Sequence, residues 1–515
     1  MEFGALVASL PSRKGSVFVF DKGKILKHPF AELAKDLARA TDNLRRWGIS
    51  QSHRIGLFAP NCYSWLVYDL AIIKLGAVSV PFTDDFAGKI DRALLDKYQV
   101  SLLLVAKGRE PSHPKPHYVA YFDAENTDDV RPIVRNTDSE PDDLTMAFSS
   151  GSAGGLKGLL ISRSGVEATL PPIIEAIETR HDDRLLLFMP MSNFQQRTMC
   201  YAAIWYDFDV IITDYVQLMA AIKALEPTIL IAPPMYFQMI YTRFANFPQF
   251  KKSMWTLLGK LLNLLPIPAM RRVLAANAFE EFYRQFGGKM RLLITGMAPI
   301  KPDVAKFFDM MQLPLCESYG LVETGSLTYR PADCKKYGSV GKPLRGINLL
   351  FGEDGEVIVE RESSLTRRYF QSAEGENERT FLGNNRIATG DIGRLDSDGY
   401  LYLMGRKKEL IITPGGYKIH PEIVERELAD CPDIAQAAVF LKPGAAMLTC
   451  VASLHQPEEE ARARARAFVK SMKSTRQSQI GEVIFVDAPF STDNGMLRPN
   501  LKLDRRAIAA KFNLN

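Results

Sequence analysis

The 515-residue chain is predicted to fold as an α/β protein, a large N-terminal domain followed by a small α+β domain. Three observations carry this expectation. Helix-like and strand-like patterns alternate over residues 1–145 and again through 210–235, the rhythm of βαβ units. Over residues 330–405 the pattern shifts to short alternating runs that suggest antiparallel β structure. After about residue 408 a smaller series of helix and strand signals begins. A chain of this length exceeds one compact core, so two or more domains are expected.

Taken in order, Thr41-Asp-Asn-Leu-Arg-Arg-Trp-Gly reads as the end of a helix stopped by Gly48. Arg54-Ile-Gly-Leu-Phe-Ala reads as a buried strand, Trp65 to Gly76 as a helix, and Ala77-Val-Ser-Val-Pro as a second strand. Asp209-Val-Ile-Ile-Thr and Thr228-Ile-Leu-Ile-Ala look like parallel core strands. Gly355-Glu-Val-Ile-Val-Glu and Gly399-Tyr-Leu-Tyr-Leu mark the antiparallel stretch. Pro421-Glu-Ile-Val-Glu-Arg-Glu-Leu is a helix with proline at its start and an acid in its first turn. Ile434 to Leu441 and Val483 to Val486 then read as strands. No repeat at solenoid period and no low-complexity tract is present.

Composition narrows the class. With 46% hydrophobic and 24% charged residues, the chain is neither collagen-like, disordered nor a disulfide scaffold. A net charge of +5 from 64 Lys+Arg and 59 Asp+Glu is too small for a dedicated nucleic-acid binder. Six scattered cysteines form no CxxC pair, which argues against a zinc site and for a reducing compartment. The N-terminus, Met1-Glu-Phe-Gly-Ala, carries an acid where a secretory signal needs positive charge. No run of 18 apolar residues appears, and a cytoplasmic location is expected.

The most informative segment is residues 144–158, Leu-Thr-Met-Ala-Phe-Ser-Ser-Gly-Ser-Ala-Gly-Gly-Leu-Lys-Gly. An apolar strand runs into a loop of hydroxyls, glycines and one lysine, a composition that lets backbone N–H groups turn inward around a polyphosphate. The P-loop of nucleotide hydrolases needs Gly before its Lys and Ser or Thr after it. Leu156 and Gly158 fail both requirements, so that reading is rejected.

The loop resembles the Thr-Ser-Gly-Thr-Thr-Gly-x-Pro-Lys-Gly signature of the adenylate-forming superfamily, which holds acyl-CoA synthetases, luciferases and peptide-synthetase adenylation domains. Ser149, Ser150, Gly151, Ser152, Gly154, Lys157 and Gly158 match or substitute conservatively, whereas Ala153 and Leu156 depart. Further segments resemble the family in the same order: Ile294-Thr-Gly-Met-Ala-Pro, Tyr319-Gly-Leu-Val-Glu-Thr, Thr389-Gly-Asp with Asp398-Gly-Tyr-Leu and Gly405-Arg-Lys-Lys-Glu, and Gly415-Gly-Tyr-Lys-Ile-His-Pro-Glu. Asn494-Gly-Met-Leu-Arg-Pro-Asn-Leu-Lys-Leu-Asp-Arg-Arg and Pro190-Met-Ser-Asn-Phe-Gln-Gln-Arg resemble its long-chain fatty acyl branch.

That resemblance implies an AMP-binding domain over residues 1–405, of mixed α/β subdomains plus a β-barrel-like subdomain. It also implies a small mobile α+β lid over 406–515 that carries a catalytic lysine, Lys502. Ser149, Ser150, Gly151, Ser152, Gly154 and Lys157 would hold the β- and γ-phosphates of ATP, with Tyr319, Gly320 and Thr324 completing the nucleotide site. Glu323 would coordinate Mg²⁺, Asp391 would accept both ribose hydroxyls, Arg406 would touch ribose or phosphate, and Lys408 would be the hinge. Asn193, Gly296, Met297 and Ala298 would border the acid pocket. Val322 and Ala153 replace hydroxyl residues of the family, a loss of about 1–3 kcal/mol per transition-state contact if uncompensated.

The implied reaction is ATP-dependent activation of a fatty or aryl carboxylic acid, followed by thiolysis to an acyl-CoA. Two alternatives stand beside it. One is an acyl-AMP ligase that loads an acyl carrier protein's phosphopantetheine or another nucleophile; the other is a degenerate nucleotide-binding homologue, motivated by Val322 and Ala153. Finally, residues 250–275 set Trp255 and a run of leucines between Lys251, Lys252, Arg271 and Arg272. This is either a helix for peripheral membrane contact or an amphipathic cap packed on the N-terminal domain, the reading preferred from sequence.

Overall fold

Side-chain alternation along the strands sets out the layers. In the strand Ser16–Asp21, Val17 and Val19 enter one core while Phe18 and Phe20 enter another. The strand Val100–Val105 does the same, Leu102 and Leu104 joining the first core and Leu103 and Val105 a third. A period of two with apolar residues on both faces is what a sheet buried on both sides requires.

The computed structural model describes the chain apart from residues 1–2, 113–114, 123–129, 136, 151–155, 415, 473–478, 498–502 and 515. The chain divides into two compact units. The first comprises Met1–Leu350, Ile358–Thr389 and Ser397–Leu401; the second comprises Phe351–Val357, Gly390–Asp396 and Tyr402–Asn515.

The first unit holds two large sheets. In the nine-stranded sheet, Leu315–Leu321, Leu292–Thr295, Ile229–Ala232, Arg184–Leu187, Asp209–Ile212 and Ser16–Asp21 run parallel in that spatial order. Antiparallel strands continue it at both ends. The two strands expected at 209–213 and 228–232 are parallel, and Arg184–Leu187 lies between them. In the seven-stranded sheet, Asp143–Ser150, Val78–Pro81, Arg54–Phe58, Val100–Val105 and Val119–Tyr121 are parallel neighbours, while Leu156–Ser162 and Thr366–Phe370 add antiparallel.

The core shared by both sheets also takes in the helices Phe30–Arg46, Tyr63–Lys74, Arg163–Ile177 and Phe194–Tyr206. Tyr63–Lys74 is buried at every position from Trp65 to Ile73, as a helix covered on all sides must be.

The second unit is built on a three-stranded sheet. Ile434–Phe440 pairs antiparallel with Leu448–Leu454, which pairs parallel with Ile480–Val486. Leu448, Cys450, Ala452 and Leu454 face a core with the helices Pro421–Leu428 and Glu459–Ser471. Val451 faces the opposite core with the helix Arg505–Lys511.

Candidate active site

The phosphate-loop segment is a hairpin. Phe148 pairs with Gly158, Ser149 with Lys157 and Ser150 with Leu156 across two antiparallel strands. The loop therefore joins strand to strand, whereas a P-loop joins strand to helix. Gly151, Ser152 and Gly154 fall outside the described residues, as do the side chains of Ser149 and Ser150. A Cβ on Gly158 would come within 2.8 Å of Met146 Sδ, so any larger residue here would have to displace the Met146 side chain.

Lys157 meets two residues from a segment some 200 positions later. Its ammonium forms an ion pair with Glu376 and sits 5.2 Å from the centroid of the Tyr369 ring. The Tyr369 hydroxyl donates to Glu323 Oε1 at 2.9 Å, and Thr366 Oγ1 donates to the Glu323 carbonyl at 2.6 Å. Strand pairing makes this possible, because Thr366–Phe370 lies against Leu156–Ser162 with Tyr369 opposite Leu159. Asn377 grips the Tyr369 backbone on both sides, accepting from its N–H at 2.7 Å and donating to its carbonyl at 3.2 Å. A cation, a phenol and a carboxylate are thus held in one chain of contacts.

Glu323 stands at the turn of the hairpin formed by Leu315–Leu321 and Gly325–Arg330. A Cβ on Gly320 would lie 2.2 Å from the Gly325 carbonyl oxygen, so only glycine permits the turn. Thr324, expected at the nucleotide, is buried, and its hydroxyl accepts from the Leu321 N–H at 3.2 Å and donates to the Gly325 carbonyl at 3.0 Å. Tyr319 is buried opposite Thr328, and Val322 packs against the shared core.

The same hairpin walls a cavity of about 100 Å³ with Ser318, Gly320, Gly325 and Ser326. The other walls come from the helices Arg163–Ile177 and Phe194–Tyr206 and from the end of the strand Leu292–Thr295. Gly296 and Met297 line it, Met297 with a φ of 69°, a left-handed conformation that strains a long side chain. Ala298 is exposed and Asn193 does not line it. The Asn193 side chain instead caps the helix Phe194–Tyr206, its Oδ1 accepting from the N–H groups of Gln195 at 3.0 Å and Gln196 at 3.3 Å.

Two polar residues that sequence reasoning passed over line this largely apolar wall. Gln196 Oε1 and Thr295 Oγ1 are buried without a hydrogen-bond partner. One position further along the helix, Arg197 turns away into the core. It donates to Asp69 at 3.2 Å and to Thr145 Oγ1 at 2.9 Å, and Asp69 also accepts from Ser79 at 2.6 Å and from Tyr201. Thr145 belongs to the strand that runs into the hairpin loop, so a buried polar network ties the cavity helix to that strand.

In the second unit, Asp391 is 5% exposed and accepts from Arg406 Nε at 2.7 Å. The Arg406 N–H donates to Glu422 Oε1 at 3.1 Å. Gly405, at φ 152°, is held so close to this carboxylate that a Cβ would lie 2.5 Å from Glu422 Oε2. Burial pushes the Glu422 carboxyl up to about 7, with Glu409 beside it pushing the same way. Lys408, the expected hinge, is exposed in the short turn Lys407–Glu409.

Lys502 lies outside the described residues, but its neighbours are well tied. Leu497 bridges to Leu503, the Asp504 side chain caps the helix Arg505–Lys511, and Arg505 donates to Glu409 at 2.8 Å and Glu425 at 2.6 Å. Arg505 is thereby tied to Glu409 in the Lys408 turn of its own unit.

Residues 12–363 match the family described as AMP-binding enzyme. The chain is 25% identical to the long-chain-fatty-acid–CoA ligase FadD15 of Mycobacterium bovis, over 94% of this chain and 90% of that protein. It is also 25% identical to the long-chain-fatty-acid–CoA ligase FadD13 of Mycobacterium tuberculosis, over 80% of each. Among solved structures, the fold is shared with the O-succinylbenzoate coenzyme A synthetase of Bacillus subtilis in complex with ATP and magnesium ion. That likeness has a TM-score of 0.73 and 19% identity, and covers 97% of this chain and 99% of that one. ATP-bound MatB of Rhodopseudomonas palustris gives 0.74 and 18%, over 99% of this chain and 98% of that one.

Proposed function

The chain belongs to the AMP-binding enzyme family, and on that premise we propose that it is an AMP-forming acid–thiol ligase acting on fatty or aryl carboxylic acids. The observation that carries this is the hairpin around Glu323. On one side it reaches, through Tyr369, the loop lysine Lys157; on the other it walls an apolar cavity through Gly320 and Gly325. Anion-handling groups and a slot for a hydrophobic acid thus share one element. The similarity to fatty-acid–CoA ligases supports the same substrate class.

In the first half-reaction a carboxylate oxygen of the acid attacks the α-phosphorus of ATP, and the bond to pyrophosphate breaks. Both partners are anions, so the protein's contribution is alignment and positive charge. Lys157 supplies charge at the β- and γ-phosphates once the nucleotide takes the place of Glu376. Tyr369 holds the ring face under that ammonium and the hydroxyl on Glu323, fixing the two charges relative to each other.

Glu323 fits a magnesium ion: it is a hard oxygen donor on a rigid turn, and one carboxylate plus substrate phosphates is a common Mg²⁺ set. Bound there, Mg²⁺ would neutralise phosphate charge. Asp391 would accept the ribose hydroxyls, with Arg406 keeping its carboxylate oriented. Lys502 would stabilise the adenylation transition state, delivered by the small unit turning about Lys408. In the second half-reaction the thiol sulfur attacks the acyl carbon and the bond to AMP breaks, giving the thioester. Free CoA is the proposed acceptor, with a carrier-protein phosphopantetheine as the alternative.

Acid-dependent ATP–pyrophosphate exchange tests this reading. A panel of fatty and aryl acids should support exchange, and Lys502→Ala should abolish it. Failure of every acid in the panel would leave the nucleotide-binding homologue as the better account. Thioester formation with free CoA against a carrier protein separates the two acceptors.

A further inference from the structure

The segment singled out at 250–275 folds as two helices, Gln249–Asn263 and Pro268–Ala278, which pack against each other in the first unit. Trp255 does not face outward; it is 6% exposed and packs among Phe244, Phe247, Phe279 and Phe282. Trp255, Gly259 and Leu262 form the buried stripe of the first helix.

The opposite stripe is unusual. Phe250, Met254, Leu257, Leu261 and Leu264 recur at spacings of four and three and are all exposed, Leu257 at 60% and Leu264 at 78%. At that spacing they share one face of the helix. Ile267 and Val273 extend the apolar surface onto the second helix. Of the 23 large apolar side chains exposed among the described residues, nine fall within residues 250–274, so this is a concentrated patch rather than scattered exposure.

Charge identifies the occupant. Residues 249–278 contain five basic residues, Lys251, Lys252, Lys260, Arg271 and Arg272, and no aspartate or glutamate. Lys251 is turned toward Phe247 and Trp255, while Lys260 and Arg272 are exposed. A second copy of this face would bring cations against cations. An apolar stripe edged with lysine and arginine instead matches a bilayer surface, where leucine and phenylalanine enter the acyl boundary and the cations meet lipid phosphates.

We infer that this helical hairpin docks the protein onto anionic lipid bilayers. The docking goes beyond the ligase reading and needs no catalysis. It would place an enzyme for fatty acids where such acids partition.

The test is co-sedimentation of the full-length protein with phosphatidylcholine vesicles, with and without added phosphatidylglycerol. The protein should pellet with the anionic vesicles, and Lys260→Gln and Arg272→Gln should each weaken partitioning roughly fivefold. Leu257→Glu with Leu261→Glu should weaken it by about tenfold or more. The melting temperature should stay unchanged, since these side chains are exposed. Wild-type protein left in the supernatant with anionic vesicles, or variants that pellet like wild type, would overturn the docking. Light scattering that shows a dimer split by the leucine substitutions would assign the face to self-association instead and overturn it equally.

Discussion

The charged cluster around Lys157 and the one around Arg505 solve opposite problems. In the first unit, Lys157 pairs with Glu376, and Tyr369 bridges from it to a second carboxylate on Glu323. In the second unit, Arg505 bonds Glu409 and Glu425, and Glu422 lies against Glu409. Burial, with Glu409 beside it pushing the same way, lets Glu422 hold its proton to about 7. The first arrangement is one that a polyphosphate can take over by displacing a side-chain carboxylate. The second is an internal brace whose strength depends on protonation. Ligand exchange suits a site that must release its product, and a brace suits a helix fixed within its own unit.

The sharpest way to break the contrast is Arg505→Gln. Two carboxylates would lose their cation in a mostly buried setting, at a cost of about 3 kcal/mol or more. Chemical denaturation of the full chain should show the loss, together with weakened pyrophosphate exchange. Next, Glu323→Gln should lower exchange by about 10²–10³-fold with little change in melting temperature, because the Tyr369 hydroxyl can still donate to the amide oxygen. A variant as active as wild type would remove Glu323 from the proposed site.

The brace should also titrate. Glu422 has a folded-state value of about 7 against an ordinary 4.5. Its contribution to stability is therefore complete below about 4.5 and lost as pH rises through about 7. Thermal melting of the wild type should fall across that window, and Glu422→Gln should flatten the profile. Parallel curves for the two proteins would show that Glu422 is ionised throughout.

The smallest effect belongs to Glu376→Gln. It removes the anion that competes with phosphate for Lys157, so the KM for ATP should fall about two- to fivefold with kcat little changed. A raised KM would mean that Glu376 positions the lysine instead of competing for it.

Much of this was legible in the chain. Lys157 stands out because glycine, hydroxyl and charge cluster in one short segment, whereas Glu323 is singled out only by the resemblance of Tyr319-Gly-Leu-Val-Glu-Thr to a family motif. Arg54-Ile-Gly-Leu-Phe-Ala reads as a buried strand, and Arg54–Phe58 is buried at every position. Tyr369, Glu376 and Asn377 carry no such signal, since their importance arises only from pairing between strands that lie far apart in the chain. Asn193 shows the reverse. Its position in a motif suggested a pocket wall, but a side chain that can cap a helix N-terminus finds two N–H donors at once and stays there.

By itself, the sequence determined the residue types that can grip phosphate, the two-fold periodicity that stacks the layers, and the glycines without which the Gly320 turn cannot close. Tertiary structure alone decided which carboxylate faces Lys157, which side of the Gln249–Asn263 helix holds Trp255 in the core, and which buried oxygens of Gln196 and Thr295 are left without partners. The reason is range: periodicity and turn chemistry act over a few residues, whereas burial and pairing are settled by segments hundreds of positions apart that meet only when the sheets form.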